Sequence, residues 1–227
     1  AIYNKYPNNM LGIVTDVSFK RAGEKDKKAG LKFCSYIREK DEFLPIIIES
    51  SEVENQKDAM FLNACFLDKN SKKLPVDLRK TILRNFGFGD FEFINPHTGE
   101  VIATVRNLKD LQNTIMSIPD ESLYYHGSRN HISRWLYSRA MFPIAELLRQ
   151  KQFTDISESQ EMRQLIFDAI VQYRKMKNRG VVAIFQRERF DKYSNFARIG
   201  QGSLGGKGRG LAFIDSCLLY TSPSPRD

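Results

Sequence analysis

Short apolar runs alternate with amphipathic stretches over the first 86 residues of this 227-residue chain. The clearest run, Leu44-Pro-Ile-Ile-Ile-Glu-Ser50, is typical of a buried strand, and two further strands are predicted at residues 11–16 and 64–69. Helical spacing of apolar residues predicts three helices, at 29–38, 54–63 and 75–86. Because strands that alternate with helices form parallel βαβ units, the sequence predicts an α/β fold with part of a doubly wound parallel sheet.

Each predicted strand of this region ends in a polar residue: Asp16, Ser50 and Lys69. Ligands of parallel sheets gather beyond the carboxyl ends of the strands, so we expect an acid, a hydroxyl and an amine to converge at one edge. Such a trio can accept and stabilise a phosphoryl group. Each residue also has a plain structural alternative: Asp16 or Ser50 as a cap of the next element, and Lys69 as a solvated amine.

Residues 1–86 resemble the receiver domain of bacterial response regulators, which has a flavodoxin-like fold. The resemblance implies that Asp16 is the phospho-acceptor and a ligand of Mg²⁺, that Ser50 and Lys69 contact the phosphoryl group, and that a histidine kinase is a partner in a phosphorelay. The sequence departs from the family at the charged segment 20–28, which lacks the usual proline, and at Asn70, which stands where proline is common. The family's acidic magnesium-binding pair lies on a strand before Ala1, so we expect a fragment. A degenerate receiver that only mediates contacts stays an alternative.

The middle of the chain predicts a β-hairpin connector at 87–106 and a mainly helical support region at 107–199. Asn107 is expected to cap a helix over 108–116, and one helix kinked at Pro143 is expected over 132–151. A capping box at 157–160 is expected to open a helix that ends near Lys177, before Asn178-Arg-Gly180 and a strand at 181–185. His126 and His131 are five residues apart, which does not suit two ligands on one helix face, so packing is their expected role.

The segment 200–213 contains six glycines together with a lysine and an arginine. Glycine allows close approach of the backbone to a ligand, and exposed N–H groups beside a helix N-terminus attract anions. The pattern fits neither a complete dinucleotide fingerprint nor a Walker A loop. The composition favours a phosphate-binding loop over a flexible linker, because Leu204, Leu211 and Phe213 frame the glycines with apolar side chains.

Residues 202–213 look like the opening of the ATP-grasp-like nucleotide-binding domain of phosphoenolpyruvate synthase and pyruvate phosphate dikinase. The resemblance implies that Gly205, Gly206, Lys207 and Arg209 bind ATP with Mg²⁺, in a domain that begins at 200–216. It also implies an ATP-dependent phosphotransferase that acts on a small acid through a downstream phosphohistidine. The fragment itself is expected to be inactive. A non-catalytic signalling module, in which the glycines are a hinge, is the alternative.

The chain carries a net charge of +8, but its basic residues are scattered among acidic ones, so no nucleic-acid partner is predicted. No apolar run approaches the ~20 residues that cross a bilayer, and no membrane partner is predicted. Cys34 and Cys65 lie in apolar segments and are expected to be buried thiols rather than a disulfide. These features favour a reducing cytoplasm.

The last eleven residues, 217–227, differ in composition from the rest of the chain and contain Ser-Pro repeats. They look like a translated sequencing-library adapter. A Pro/Ser-rich linker is the ordinary alternative. We expect these residues to lie outside the natural fold.

Overall fold

The computed structural model describes residues 2–21, 23–151, 153–178, 182–185, 187 and 196–221. Packing divides the chain into two compact units, residues 1–165 and residues 166–227. The first unit contains the receiver-like segment, the predicted hairpin and the first helices of the support region. Among the described residues, no helix is both long and apolar enough to cross a bilayer.

A three-stranded parallel sheet lies at the centre of the receiver-like segment. Its strands are, in spatial order, β1 (Ile13–Asp16), β4 (Ile46–Ser50) and β5 (Cys65–Asp68). β4 pairs with β1 from Ile13↔Ile46 onward and with β5 from Ile47↔Cys65 onward. The central strand is buried along most of its length, as its run of isoleucines predicts. The predicted α/β class with part of a parallel sheet is confirmed.

The three predicted helices form close to their predicted positions: α2 (Ala29–Lys40) and α3 (Asn55–Phe61) connect the strands, and α4 (Leu74–Asn85) follows β5. A short helix that the sequence did not predict, α1 (Ile2–Lys5), precedes β1. The apolar stripe of α2 packs its fully buried Cys34 and Ile37 into one core with the strand residues Ile46 and Ile48. Burial of these side chains supplies the main force that holds helix and sheet together.

The charged segment after Asp16 forms a small antiparallel hairpin that the sequence did not predict. Its strands are β2 (Phe19–Arg21) and β3 (Glu24–Asp26). Gly23, with φ +91°, supplies the left-handed backbone of the turn. Both strands consist mostly of charged residues, and the hairpin buries little apolar surface of its own. The sequence therefore shows no alternation of apolar and polar residues from which the strands could be predicted.

The hairpin at 87–106 is confirmed by strands β6 (Phe91–Ile94) and β7 (Val101–Val105), which pair antiparallel. Asn107 caps the next helix, α5 (Leu108–Thr114), because its side chain accepts a hydrogen bond from the backbone N–H of Asp110 at 2.9 Å. Phe91 and Phe93 point to the buried face of the hairpin, so its alternation sets which side packs against the helices.

The single kinked helix predicted over 132–151 is wrong. The structure has two helices, α7 (His131–Tyr137) and α8 (Phe142–Gln150), preceded by the unpredicted α6 (Asp120–Ser128). Pro143 lies in the first turn of α8, where its missing N–H costs nothing, instead of inside a helix. Ala140, with φ +56°, reverses the chain between α7 and α8.

The long helix α9 (Ser159–Lys177) ends as predicted but begins differently. Asp155 accepts a hydrogen bond from the backbone N–H of Ser157 at 2.7 Å and starts a short 3₁₀ turn, so the expected capping box at 157–160 does not form. Residues 179–181, where the helix stop and the start of a strand were predicted, lie outside the described residues.

Two short parallel strands and one helix complete the described part of the second unit. They are β8 (Ala183–Ile184), β9 (Ala197–Arg198) and α10 (Gly206–Thr221). The strand β8 lies inside the predicted range 181–185. The helix α10 continues to Thr221, so it extends into the terminal segment 217–227.

Candidate functional site

Asp16 and Lys69 meet at the carboxyl edge of the three-stranded sheet. Asp16 is the last residue of β1, and Lys69 directly follows β5. The Lys69 ammonium contacts Oδ2 of Asp16 in an ion pair that is also a hydrogen bond. About two fifths of the Asp16 side chain (42%) and a third of the Lys69 side chain (33%) are exposed, so a ligand can reach both groups.

The environment of Asp16 favours its charged form. Burial alone would raise the pKa of this carboxyl, but hydrogen bonds from Lys69 and from the Ser18 backbone, with the attraction of the Lys69 charge, hold the pKa below its usual value. The Ser18 N–H donates to Oδ1 at 3.3 Å, which closes a tight turn behind the strand. Asp16 therefore keeps an ionised carboxylate beside a cation. It is not the cap of the next helix, because the N-cap residue of α2 is Lys28.

Ser50 lies at the same edge, on the central strand, but its hydroxyl is turned to its own loop. Its Oγ accepts hydrogen bonds from the Glu52 backbone at 3.1 Å and from Nδ2 of Asn55 at 3.0 Å, and the residue is buried. Asn55, which sequence reasoning missed, is also buried and orients this loop. In the described structure Ser50 makes no hydrogen bond to Asp16 or Lys69 through its side chain, so the trio is only partly assembled.

Backbone hydrogen bonds link the three strand ends. The Lys69 N–H donates to the Ser50 carbonyl at 2.9 Å, and the Val17 N–H donates to the Glu49 carbonyl at 3.3 Å. The Gly30 N–H donates to the Val17 carbonyl at 2.9 Å, which fixes the start of α2 against the Asp16 strand end. The positions of Asp16 and Lys69 are therefore set by rigid sheet ends rather than by flexible loops.

The described residues do not provide the set of ligands that the receiver resemblance implies for Mg²⁺. Among them, no three His, Cys, Asp or Glu side chains come close enough together to hold a metal ion. Asp16 is the single predicted ligand, and its Oδ2 is taken by Lys69. Because Mg²⁺ needs several oxygen ligands, one carboxylate does not build its site.

The glycine-rich segment forms a strand–loop–helix unit. The loop runs from β9 to α10, with Gly200 at φ +92° and Gly202 at φ +124°. Gly206 and Lys207 open α10, whose first turn contains no acidic residue, so its exposed N–H groups and Lys207 both attract anions. A Cβ at Gly205 or Gly206 would meet no described atom within 4 Å. The packing of the described residues therefore leaves open space at Gly205 and Gly206. Arg209 lies two residues after Lys207, still in the first turn of α10, and is exposed.

The two histidines pack as an internal pair rather than as an open site. Nε2 of His126 accepts a hydrogen bond from the Ile94 backbone at 3.1 Å, and the Nδ1 atoms of His126 and His131 lie 3.1 Å apart. Because a backbone N–H can only donate, neutral His126 carries its proton on Nδ1 and donates it to His131. Burial and nearby arginines lower the pKa of His126 to about 4 and also lower that of His131.

Comparison with protein-family models, with curated proteins and with solved structures finds no match. The class that the fold defines is an α/β protein with a partial doubly wound sheet, followed by a hairpin and helices.

Proposed function

We propose that this chain is part of an ATP-dependent phosphotransferase resembling phosphoenolpyruvate synthase and pyruvate phosphate dikinase, with the receiver-like sheet as its regulatory part. The single observation that carries the regulatory proposal is the contact between Asp16 and Lys69 at the carboxyl edge of the sheet. An ionised carboxylate is a nucleophile, and an adjacent ammonium stabilises negative charge on a phosphoryl group. Ser50 lies on the neighbouring strand of the same edge.

In the proposed step, an oxygen of Asp16 attacks the phosphorus atom of a phosphorylated donor, such as a phosphohistidine of a histidine kinase. The new P–O bond forms as the bond from phosphorus to the donor breaks, and the donor keeps the electron pair. Asp16 has no proton to lose because its carboxylate is already ionised. Lys69 can turn its ammonium from the carboxylate to a phosphoryl oxygen.

Labelling of the intact chain with a radioactive acyl phosphate donor tests this proposal. We expect a base-labile label that Asp16→Asn abolishes. Asp68→Asn is the matched control, because Asp68 ends the β5 strand at the same sheet edge, and this variant should keep the label. A label that survives Asp16→Asn, or its loss in both variants, would contradict the assignment.

A second candidate function is a non-catalytic signalling module. Two observations favour it: the described residues provide no ligand set for Mg²⁺, and the ion pair with Lys69 already neutralises the charge of Asp16. Under this function, the intact chain takes up no label with any donor class, with or without Mg²⁺. The same labelling experiment therefore separates the two candidates.

For the second unit, we propose that the loop at 200–209 binds the phosphates of ATP. Support comes from the left-handed glycines, the open space around Gly205 and Gly206, and Lys207 in the first turn of α10. ATP titration should saturate, and Lys207→Ala should weaken binding by about tenfold, as expected for loss of a charge-assisted contact. Lys175→Ala, at an exposed position of α9, is the control. Equal affinity of both variants would refute a phosphate role for Lys207.

A small acid would be the acceptor substrate of the parent enzyme, and a cytoplasmic location would suit its free thiols. Burial raises the pKa of Cys34 to about 11, so this thiol is inert at neutral pH.

A further inference from the structure

The hairpin β2–β3 lies beside Asp16, the candidate phospho-acceptor. β2 begins three residues after Asp16, and the Ser18 N–H between them donates to Oδ1 of Asp16 at 3.3 Å. β3 ends two residues before Lys28, the N-cap residue of α2. The Gly30 N–H in the first turn of α2 donates to the Val17 carbonyl at 2.9 Å. Both ends of the hairpin are therefore fixed at the carboxyl edge of the sheet.

The segment 19–28 is strongly basic, with five lysine or arginine residues and two acidic ones. Of the two acids, Asp26 binds the Lys32 ammonium at 2.8 Å, and Glu24 lies opposite Arg21 in the strand register. Three exposed lysines of the segment form no ion pair with any carboxylate of the described residues: Lys20, Lys25 and Lys27. The hairpin therefore has an uncompensated positive charge.

Two of these lysines lie side by side, because Lys20 is directly opposite Lys25 in the antiparallel register. Side chains at such positions lie on the same face, with Cβ atoms about 4.5–5.5 Å apart, and like charges there destabilise the pairing. Asp26 bonds to Lys32 of α2, and neighbouring residues of a strand point to opposite faces, so the face with Lys20 and Lys25 points away from α2. The hairpin thus holds two ammonium groups together at a cost in stability, and an anionic partner would remove that cost.

Positive charge at this place acts on whatever brings a phosphoryl group to Asp16. A phosphohistidine is negatively charged and must approach a carboxylate, while the Lys69 ammonium is already paired with that carboxylate. Basic groups beside the path attract an acidic partner and speed its association. Each strand of the hairpin has three residues, about 10 Å of extended chain, so its lysines lie within reach of a protein docked at Asp16.

We propose that the Lys20–Lys25 face of the hairpin β2–β3 is the docking surface for an acidic segment of the protein that donates a phosphoryl group to Asp16. This inference rests on the proposed phosphoryl transfer to Asp16. A nucleic acid fits this face less well, because Phe19, the one aromatic residue of the hairpin, lies opposite Asp26 on the other face. The lysine face therefore has no aromatic ring of the hairpin on which a base can stack.

Binding of synthetic peptides to the intact chain tests the docking surface without requiring phosphoryl transfer. The probe is a fluorescent peptide in which glutamates flank one histidine, and its comparison is the same peptide with lysines in place of the glutamates. Fluorescence anisotropy at low salt should show saturable binding of the acidic peptide and none of the basic one. Combined Lys20→Gln and Lys25→Gln should weaken binding of the acidic peptide by about fivefold, and added salt should reduce the difference.

Combined Lys80→Gln and Lys109→Gln is the matched control, because it removes the same charge at exposed positions of α4 and α5. It should bind the acidic peptide as the parent does. Failure of the acidic peptide to bind, or equal weakening by the two double variants, overturns the docking surface. Tighter binding of a single-stranded DNA oligonucleotide of the same charge, with the same dependence on Lys20 and Lys25, overturns it as well.

Lys20→Glu separates loss of docking from loss of fold. It replaces the like-charge pair with Lys25 by an opposite-charge pair, so the urea midpoint should stay equal or rise while binding of the acidic peptide weakens. A variant that binds the acidic peptide as tightly as the parent would show that this face is not the docking surface.

The same peptides, phosphorylated on the histidine, connect the docking surface to the proposed function. Labelling by the acidic phosphopeptide, taken relative to labelling by the acyl phosphate donor, should fall by about fivefold in the Lys20→Gln, Lys25→Gln variant. An unchanged ratio overturns this face as the docking site of the donor. Binding of the acidic peptide without labelling of Asp16 by either donor contradicts the phosphoryl transfer itself, and with it the role of the bound segment as part of a donor.

Discussion

At the scale of single residues, Gly30 is what allows α2 to begin directly beside the Asp16 strand end. A Cβ added at this position would lie 1.9 Å from the carbonyl oxygen of Asp16 and 3.0 Å from Cα of Val17. Both obstacles are backbone atoms, which cannot turn away as a side chain can. The absence of a side chain at Gly30 therefore determines how closely helix and sheet approach at the candidate site.

We expect Gly30→Ala to destabilise the first unit by roughly 1–3 kcal/mol, the usual cost of overpacking, although alanine favours helices over glycine. Urea unfolding monitored by circular dichroism measures the change. In the control Gly210→Ala, the added Cβ meets no described atom within 4 Å, so stability should be equal or higher. Greater stability of Gly30→Ala would show that α2 can move away from Asp16 at no cost.

The ion pair of Asp16 leads to a prediction about acidity. Lys69→Ala removes both a hydrogen bond and a positive charge, so the pKa of Asp16 should rise toward or above its ordinary value of 3.8. A carbon-detected NMR titration of the carboxyl group measures it. Because a lowered pKa stabilises the fold above the unfolded value, the variant should lose this contribution near neutral pH and differ less from the parent in acid.

Lys72→Ala is the comparison, since Lys72 is an exposed lysine three residues further along the same loop. It should leave the Asp16 titration nearly unchanged. An identical titration curve in the parent and Lys69→Ala would mean that the ion pair does not form in solution.

At the scale of elements, the turn between α6 and α7 owes its shape to the histidine pair. His126 is packed edge-on against Phe91 and Phe93, with ring centroids 5.1 and 5.4 Å away, and it also accepts a hydrogen bond from the β6 backbone. Nδ1 of His131, at the start of α7, accepts the hydrogen bond that the Nδ1–H of His126 donates. One buried pair thus joins the hairpin to two helices, and both rings must be neutral for this arrangement.

Acid should therefore destabilise the first unit through these histidines. The unfolded chain binds protons near pH 6.5, whereas burial lowers the pKa of His126 to about 4 and lowers that of His131 too. Between those values the unfolded state holds more protons, so stability is full above pH 6.5 and falls as the pH drops toward 4. The slope approaches ~1.4 kcal/mol per pH unit for each histidine. Urea midpoints measured across this range give the slope.

Two variants isolate this effect from the protonation of carboxylates. His131→Asn keeps an acceptor for His126 but removes one titrating ring, so it should flatten the slope by about half. His97→Gln changes an exposed ring that lies 3.5 Å from Glu121 and should not flatten it. A parent whose stability stays constant from pH 7 to 5 would contradict buried neutral histidines.

At the scale of the whole first unit, Arg139 joins the connector after the receiver-like segment to the helices that follow it. The Arg139 guanidinium donates to the carbonyls of Gly87 at 2.6 Å and Gly89 at 2.7 Å, and it lies 4.1 Å from the centre of the Trp135 ring. Trp135 itself donates to the Gly89 carbonyl at 3.1 Å. The connector after the receiver-like segment is thus held by Trp135 of α7 and by Arg139, two residues beyond the end of that helix.

We expect Arg139→Lys to destabilise the first unit by about 2–3 kcal/mol, because lysine cannot reach both carbonyls or stack on the tryptophan ring. Arg106→Lys, at an exposed arginine 3.5 Å from Asp90, should change stability by less than about 0.5 kcal/mol. Chemical unfolding followed by Trp135 fluorescence measures both. Equal stabilities would show that the connector is held mainly by apolar packing.

Local pattern sufficed for much of this fold. The isoleucine run of β4, the stripe of α2 and the Asn107 cap each depend on neighbours in sequence, so periodicity located them. The end of α7 before Ala140 was not predicted, because no residue type near Ala140 favours a left-handed backbone there. The packing of α7 against α8 holds Ala140 in that conformation. Asn55 was missed because its role depends on Ser50 reaching it in space.

The sequence by itself determined the order of the three sheet strands and of the helices α2 and α3 between them. It thereby determined the edge at which Asp16, Ser50 and Lys69 lie, because strand direction in βαβ units follows from chain connectivity. Tertiary structure alone decided that Asp16 pairs with Lys69 while the Ser50 hydroxyl turns to Asn55. These hydrogen-bond partners are held by different elements and become neighbours only when the apolar core fixes how the elements pack.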